Sequence, residues 1–253
     1  MTLAIGVSCP EGAVIVTDGI TRYIHGDNVT ISMHEGRTLG IESGSGFAYV
    51  LSGTFTPDAD MRPVAWADVD PPAEETVCAR ARRFFRAIPA GPELSSSYYV
   101  GLLGRELNAE EWASRRHTHE MIVAPLDLGR YPTIGFLSCD TERWLGPLGG
   151  VVLAGASRRM RDFYYPQITD EALANYRFRT LASCRDWAIG FGKQFMAVVN
   201  DTHPTLEAHV AAGSNPSGGW PLWGRTITPT ETHVWRHDRG QLHGGATPTQ
   251  LHA

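Results

Sequence analysis

Threonine stands at position 2, directly behind the initiator methionine, in the opening stretch MTLAIGVSCPEGAVIVTDG. If Met1 is removed, which the small threonine side chain permits, Thr2 carries a nucleophile and a base on one residue. Its hydroxyl can attack a carbonyl carbon. Its α-amine, with an unperturbed pKa of about 7.7–8.0, is partly neutral near pH 7 and can take the hydroxyl proton. Met-Thr is also a widely tolerated way to begin a chain, so residue type alone does not assign this chemistry. Other reactive groups are few. Lys193 is the single lysine among 22 basic residues, which leaves one candidate for any mechanism that needs a lysine amine.

The remaining clusters have ordinary explanations. His117 and His119 in RRHTHE share a face if the segment is a strand, and Glu120 could complete a metal site, but no second cluster has ligand spacing, and a solvated strand entry explains the pattern. SGSG at 43–46 is a hairpin turn, because neither Lys-Ser/Thr nor a helix follows it. RARRFFR at 80–86 lies on an amphipathic helix and reads as its solvated or subunit-facing side. NPSGGWPLWG at 215–224 reads as a packed surface loop. Cys9, Cys78, Cys139 and Cys184 form no CxxC pair, which fits reduced thiols and a cytoplasmic location. A net charge of −5 and a pI near 6.0 argue against a nucleic-acid surface. The N-terminal run lacks a basic region and is interrupted by Glu11 and Asp18, so neither a signal peptide nor a membrane span is expected.

The elements that must position Thr2 begin at once. LAIGVS and AVIVTD are β-branched, apolar runs joined by a Pro-Glu-Gly turn, the pattern of a β-hairpin. VTISM is a further strand, and RTLGIE and GFAYVLSGT form a second hairpin around SGSG. AEETVCARARRFFRAI predicts a helix with Val77, Phe84 and Ile88 on one face. SSYYVGLLG, HEMIVAPL, PTIGFLS and VVLAGAS predict strands, and SRRMRDFY a helix. DEALANYRFRTLASCRDWAI predicts one helix with Asp170 as N-cap. FMAVV, TLEAHVA and THVWRH predict closing strands, and the polar tail 240–253 is expected to be flexible. With 253 residues and 42% hydrophobic content, the chain can bury one large core. Strands and helices come in blocks, so an α+β domain with helices outside antiparallel sheets is expected, rather than an alternating parallel architecture.

On this framework the opening stretch resembles the first hairpin of a proteasome β-type subunit, of the N-terminal-nucleophile hydrolase superfamily. It is most similar to bacterial proteasome-like proteins of the ancestral-β-subunit type. Thr2, Gly6, Gly12 and Asp18 hold the family's places without a gap over the first 18 residues, and the likeness is approximate to about residue 200. VLSGT resembles the strand end that offers an oxyanion N–H, which implies Gly53. VVLAGAS resembles the segment that brings a serine to the nucleophile, which implies Ser157. CRDWAIGFGKQFMAVV resembles the helix whose aspartate orients the terminal amine, which implies Asp186.

The resemblance implies a four-layer αββα sandwich over residues 1–239. It implies an amidohydrolase or threonine peptidase that acts on a peptide or small amide, and a homo-oligomer forming a ring or open spiral. No cofactor or metal is implied for the chemistry. One position departs. The family lysine is replaced by His34, within ISMHEG. Three readings follow. His34 takes over the proton handling that histidine can perform near neutral pH. The site carries out other chemistry, such as acyl transfer to an amine in small-molecule biosynthesis. Or the chain is a structural subunit without activity.

Overall fold

Pro10, Glu11 and Gly12 reverse the chain between β1 (Leu3–Cys9) and β2 (Gly12–Asp18). The strands pair antiparallel, with Cys9 opposite Gly12 and Ala4 opposite Thr17. The computed structural model describes residues 3–25, 28–33, 39–42, 46–52, 76–88, 119–126, 134–138, 140–146, 148–199, 220–238, 241–244 and 249–250. Both strands are buried along their whole length, which is why their sequences run apolar without alternation.

The hairpin lies inside a larger sheet. β1 pairs with β10 (Gly150–Gly155), and β2 pairs with β11 (Leu222–Ile227), which is followed outward by β12 (Glu231–Asp238) and β13 (Gln241–Gly244). β14 (Thr249–Gln250) also pairs with β12. A second sheet runs β5 (Leu39–Glu42), β6 (Phe47–Ser52), β7 (Glu120–Pro125), β8 (Ile134–Leu137) and β9 (Glu142–Leu145). β3 (Ile20–His25) and β4 (Asn28–Met33) form a separate pair. Every described strand pairing is antiparallel, so the expected mixed α+β architecture is present.

Side-chain alternation sorts the core. Leu3, Ile5, Val14 and Val16 pack on α2 (Ala156–Tyr164), α3 (Asp170–Ala174) and α4 (Leu181–Val199) through Met160, Leu173, Ala188 and Phe195. Ala4, Ala13 and Ile15 face the second sheet, where they meet Ala48, Val50, Ile122 and Ile134. The other face of the second sheet buries Phe47, Tyr49 and Leu51 against α1 (Val77–Ala87), with the Tyr49 and Phe84 rings 5.0 Å apart. Val77, Phe84 and Ile88 are all buried, as the helical spacing predicts. Each such large side chain contributes about 1.5–3 kcal/mol of burial energy.

Several expected elements differ. Residues 170–189 form two helices, not one. Thr169, rather than Asp170, is the first N-cap, its Oγ1 accepting the Ala172 N–H at 3.1 Å. The chain restarts at a reciprocal cap in which Ser183 N donates to Thr180 Oγ1 and Thr180 N to Ser183 Oγ. FMAVV is the end of α4 rather than a strand. Phe195 continues the buried stripe of Cys184 and Ala188, and a short apolar run has no period of its own to decide between helix and strand. Leu222–Gly224, expected as part of a loop at 215–224, begin the interior strand Leu222–Ile227 between β2 and β12. Within the tail, Gln241–Gly244 is paired to β12. The strands expected at 96–104 and 205–211 lie outside the described residues. Among the described residues no helix is long and apolar enough to cross a membrane.

Gly6 fixes how closely the two sheets approach. A Cβ there would stand 2.3 Å from Ile134 Cδ1, 2.7 Å from Ile122 Cγ2 and 2.8 Å from Val152 Cγ2. Gly6→Ala therefore overpacks three branched side chains and is expected to cost about 1–3 kcal/mol. A urea titration that shows unchanged stability would refute this account of the sheet spacing.

Candidate active site

One end of the two sheets brings together two of the residues that the sequence marks, Asp18 and Ser157. β1 begins there, and β2, β6 and β10 finish there. At the β2 end, Asp18 is 3% exposed, and its Oδ1 accepts the backbone N–H of Leu3 at 2.7 Å. A buried carboxylate must find donors, and an amide bound to a charged oxygen contributes about 1.5–3 kcal/mol. The bond fixes the residue that follows Thr2. Thr2, His34 and Gly53 themselves lie outside the described residues. Their chain neighbours are placed: β4 brings Met33 opposite Ile20, two residues beyond Asp18, and β6 ends at Ser52 opposite Glu120.

Ser157 joins the same end from the other side of β1. It is fully buried, and its Oγ lies 2.6 Å from the carbonyl oxygens of both Ala4 and Ala154. A hydroxyl has one proton, so it donates to one of these at a time. Gly155 makes this reach possible. Its φ of 60° and ψ of −130° lie in a region that glycine adopts without a Cβ clash, and they swing the chain from β10 straight into α2. Gly155 also stands opposite Leu3 in the β1–β10 ladder. Asp18 and Ser157 thus hold consecutive residues of β1 from opposite sides.

Asp186 is not brought to this group. It lies on α4, its side chain 73% exposed and its Oδ1 3.8 Å from Arg185 Nε. The start of α4 is tied to the opposite end of the hairpin, where Glu11 Oε2 accepts the Leu181 N–H at 2.9 Å.

Charged residues outside the set that the resemblance implies stand close by. Glu120 Oε2 accepts the Gly155 N–H at 2.5 Å, and its Oε1 pairs with Arg158 Nη1 at 3.1 Å. Arg158 continues to Asp170 Oδ2 at 3.8 Å and lies over the Phe136 ring. Asp170 also receives Arg161 and, at 3.5 Å, Arg143. Burial alone would raise the Asp170 carboxyl pKa, but the Arg161 hydrogen bond and the charges of Arg161, Arg158 and Arg143 outweigh it and hold the group below the usual carboxylate range. Losing the N-cap role to Thr169 frees this carboxylate for the arginines.

His119 has another use than ligation: its ring packs 4.6 Å from Phe85, with Nε2 3.4 Å from the Phe85 carbonyl. Among the described residues no three His, Cys, Asp or Glu side chains converge as a metal site. Cys9 and Cys184 are buried against each other in the helix-side core, and burial pushes the Cys184 thiol far up.

No protein-family model matches the chain, and no curated protein matches it. Among solved structures it is similar to an Anbu (Gly-1) mutant from Hyphomicrobium sp. strain MC1, at 14% identity and a TM-score of 0.43, over 100% of this chain and 88% of that one.

Two outcomes follow from this geometry. Ser157→Ala removes the hydroxyl from a buried carbonyl and is expected to lower stability by about 1–3 kcal/mol, read from denaturant unfolding. The depressed Asp170 pKa stabilises the fold above the unfolded aspartate value of about 3.9, and that contribution is lost as pH falls through the lower folded value. The stability gap between wild type and Asp170→Asn should therefore be largest above pH of about 4 and shrink towards pH of about 2. A gap that stays constant over that range contradicts the assignment.

Proposed function

We propose that this chain is an N-terminal-nucleophile amidohydrolase in which Thr2, freed by removal of Met1, is nucleophile and base. The observation that carries the reading is the Asp18–Leu3 bond: a buried carboxylate fixes the amide directly behind Thr2, at the end of the sheet where Ser157 holds Ala4. The order of packing, with α2–α4 on one sheet and α1 on the other, supports the four-layer αββα form of that fold.

In the proposed reaction the Thr2 α-amine takes the hydroxyl proton while Oγ bonds to the amide carbonyl carbon. The Gly53 N–H stabilises the oxyanion. The ammonium returns its proton to the departing amine as the C–N bond breaks, which leaves an ester on Thr2. Water, deprotonated by the same amine, attacks that ester, and Thr2 Oγ leaves with the proton. Asp18 keeps the start of β1 in register, and His34 handles charge where the family has lysine. No role is proposed for Asp186. The substrate class is a peptide or small amide, and the assembly is a homo-oligomer, ring or open spiral.

The test combines mass and labelling. Intact mass should show Met1 absent. A peptide β-lactone should acylate Thr2, with a rate that rises with pH and levels above about 8 as the amine becomes neutral. Thr2→Ala should reduce labelling to background. Retained Met1, or undiminished labelling in Thr2→Ala, would falsify the mechanism.

A further inference from the structure

We propose that Glu120 is a positioning residue for the N-terminal site, its single carboxylate bracketing Ser157 by holding the Gly155 N–H on one side and the Arg158 guanidinium on the other. The inference rests on the Thr2 reading for its catalytic consequence, and on geometry for its structural one.

Glu120 opens β7, in the second sheet, opposite Ser52. Its two oxygens cross to the first sheet. Oε2 reaches Gly155, two residues before Ser157, at 2.5 Å, and Oε1 reaches Arg158, one residue after it, at 3.1 Å. β10 is the edge strand of its sheet, so the Gly155 N–H has no neighbouring strand on its outer side among the described elements. Gly155 stands at the N-cap of α2 and, having no side chain, leaves the β10–α2 junction with no side-chain cap of its own. Glu120 supplies the missing acceptor from outside. Arg158 is held from its far side by Asp170. The bracketed Ser157 reaches Ala4, and Gly155 faces Leu3 in register. Displacing the bracket therefore shifts the support behind the two residues that follow Thr2. The charged acceptor also makes the hold stronger than a neutral amide would.

Hydrogen exchange on the full-length protein separates this role from general stability. In Glu120→Ala the amides of Leu3 to Ile5 should exchange about tenfold faster, while those of β12 are unchanged. Glu120→Gln keeps the size and one neutral acceptor, so it should show a smaller, same-sited increase of about threefold. β-Lactone acylation of Thr2 should slow in the same order, with the plateau pH unchanged. If residues 3–5 exchange as in wild type, or if exchange rises equally across the sheet, Glu120 is not a positioning residue. Should Glu120→Ala fail to fold, the exchange pattern of Glu120→Gln decides. If wild type is never acylated at Thr2, the proposed function fails, and the exchange result still judges Glu120.

Discussion

An aspartate carboxylate buried at the end of a strand is stable only if the backbone is shaped to supply donors. Asp18 obtains one from Leu3, the first residue of the neighbouring strand. That requirement fixes the register of the β1–β2 hairpin at its open end, as the Pro-Glu-Gly turn fixes it at the closed end. With both ends set, the two faces of β1 are determined. Leu3, Ile5 and Val7 must meet helices, and Ala4 and Gly6 must meet the other sheet. A slip of one residue would exchange these sets and push branched side chains into a gap that has no room even for a methyl group at Gly6.

The space between the sheets is therefore narrow along β1, and a polar link crosses at its end. Glu120 crosses there, with Arg158 and then Asp170 behind it. This chain of charges is half-exposed, so its individual pairs contribute little by Coulomb attraction alone. Its value is geometric. It ties β7, the β10–α2 junction and the start of α3 into one arrangement around Ser157.

The sequence was most readable where local chemistry and tertiary packing agree. The hairpins carry their own turn residues, and the stripe on α1 shows in its spacing. Asp18 and Ser157 are marked by the resemblance of their segments to the first hairpin and a later strand of the proteasome β-type family. Failures came where the decisive partner is distant. The start of Leu222–Ile227 contains Gly224 and follows a Trp-Pro pair, so it looks like loop. It is a strand because β2 and β12 each offer it a ladder, and Gly224 is needed where a Cβ would strike the Trp235 ring at 2.1 Å. FMAVV was read as a strand because its apolar run was taken without the helix leading into it. Asp186 is implied only by the likeness of its segment to a family helix, and its side chain stands exposed beside Arg185. The sequence offers Glu120 only as a third ligand beside His117 and His119, because its partners are a backbone amide 35 residues on and an arginine in a different layer.

The placement of the first hairpin also has a bearing on biosynthesis. β1 and β2 are made before both of their neighbours in the sheet, the strands at 150–155 and 222–227. Until those segments appear, a nascent chain carries a two-stranded, largely apolar ribbon with both edges open, the form of β structure most prone to wrong pairing. The strand that covers β2, Leu222–Ile227, arrives only after residue 221, so the sheet that bears the candidate site cannot close before then. Until that strand is made, the burden of keeping the ribbon unpaired falls on the cell.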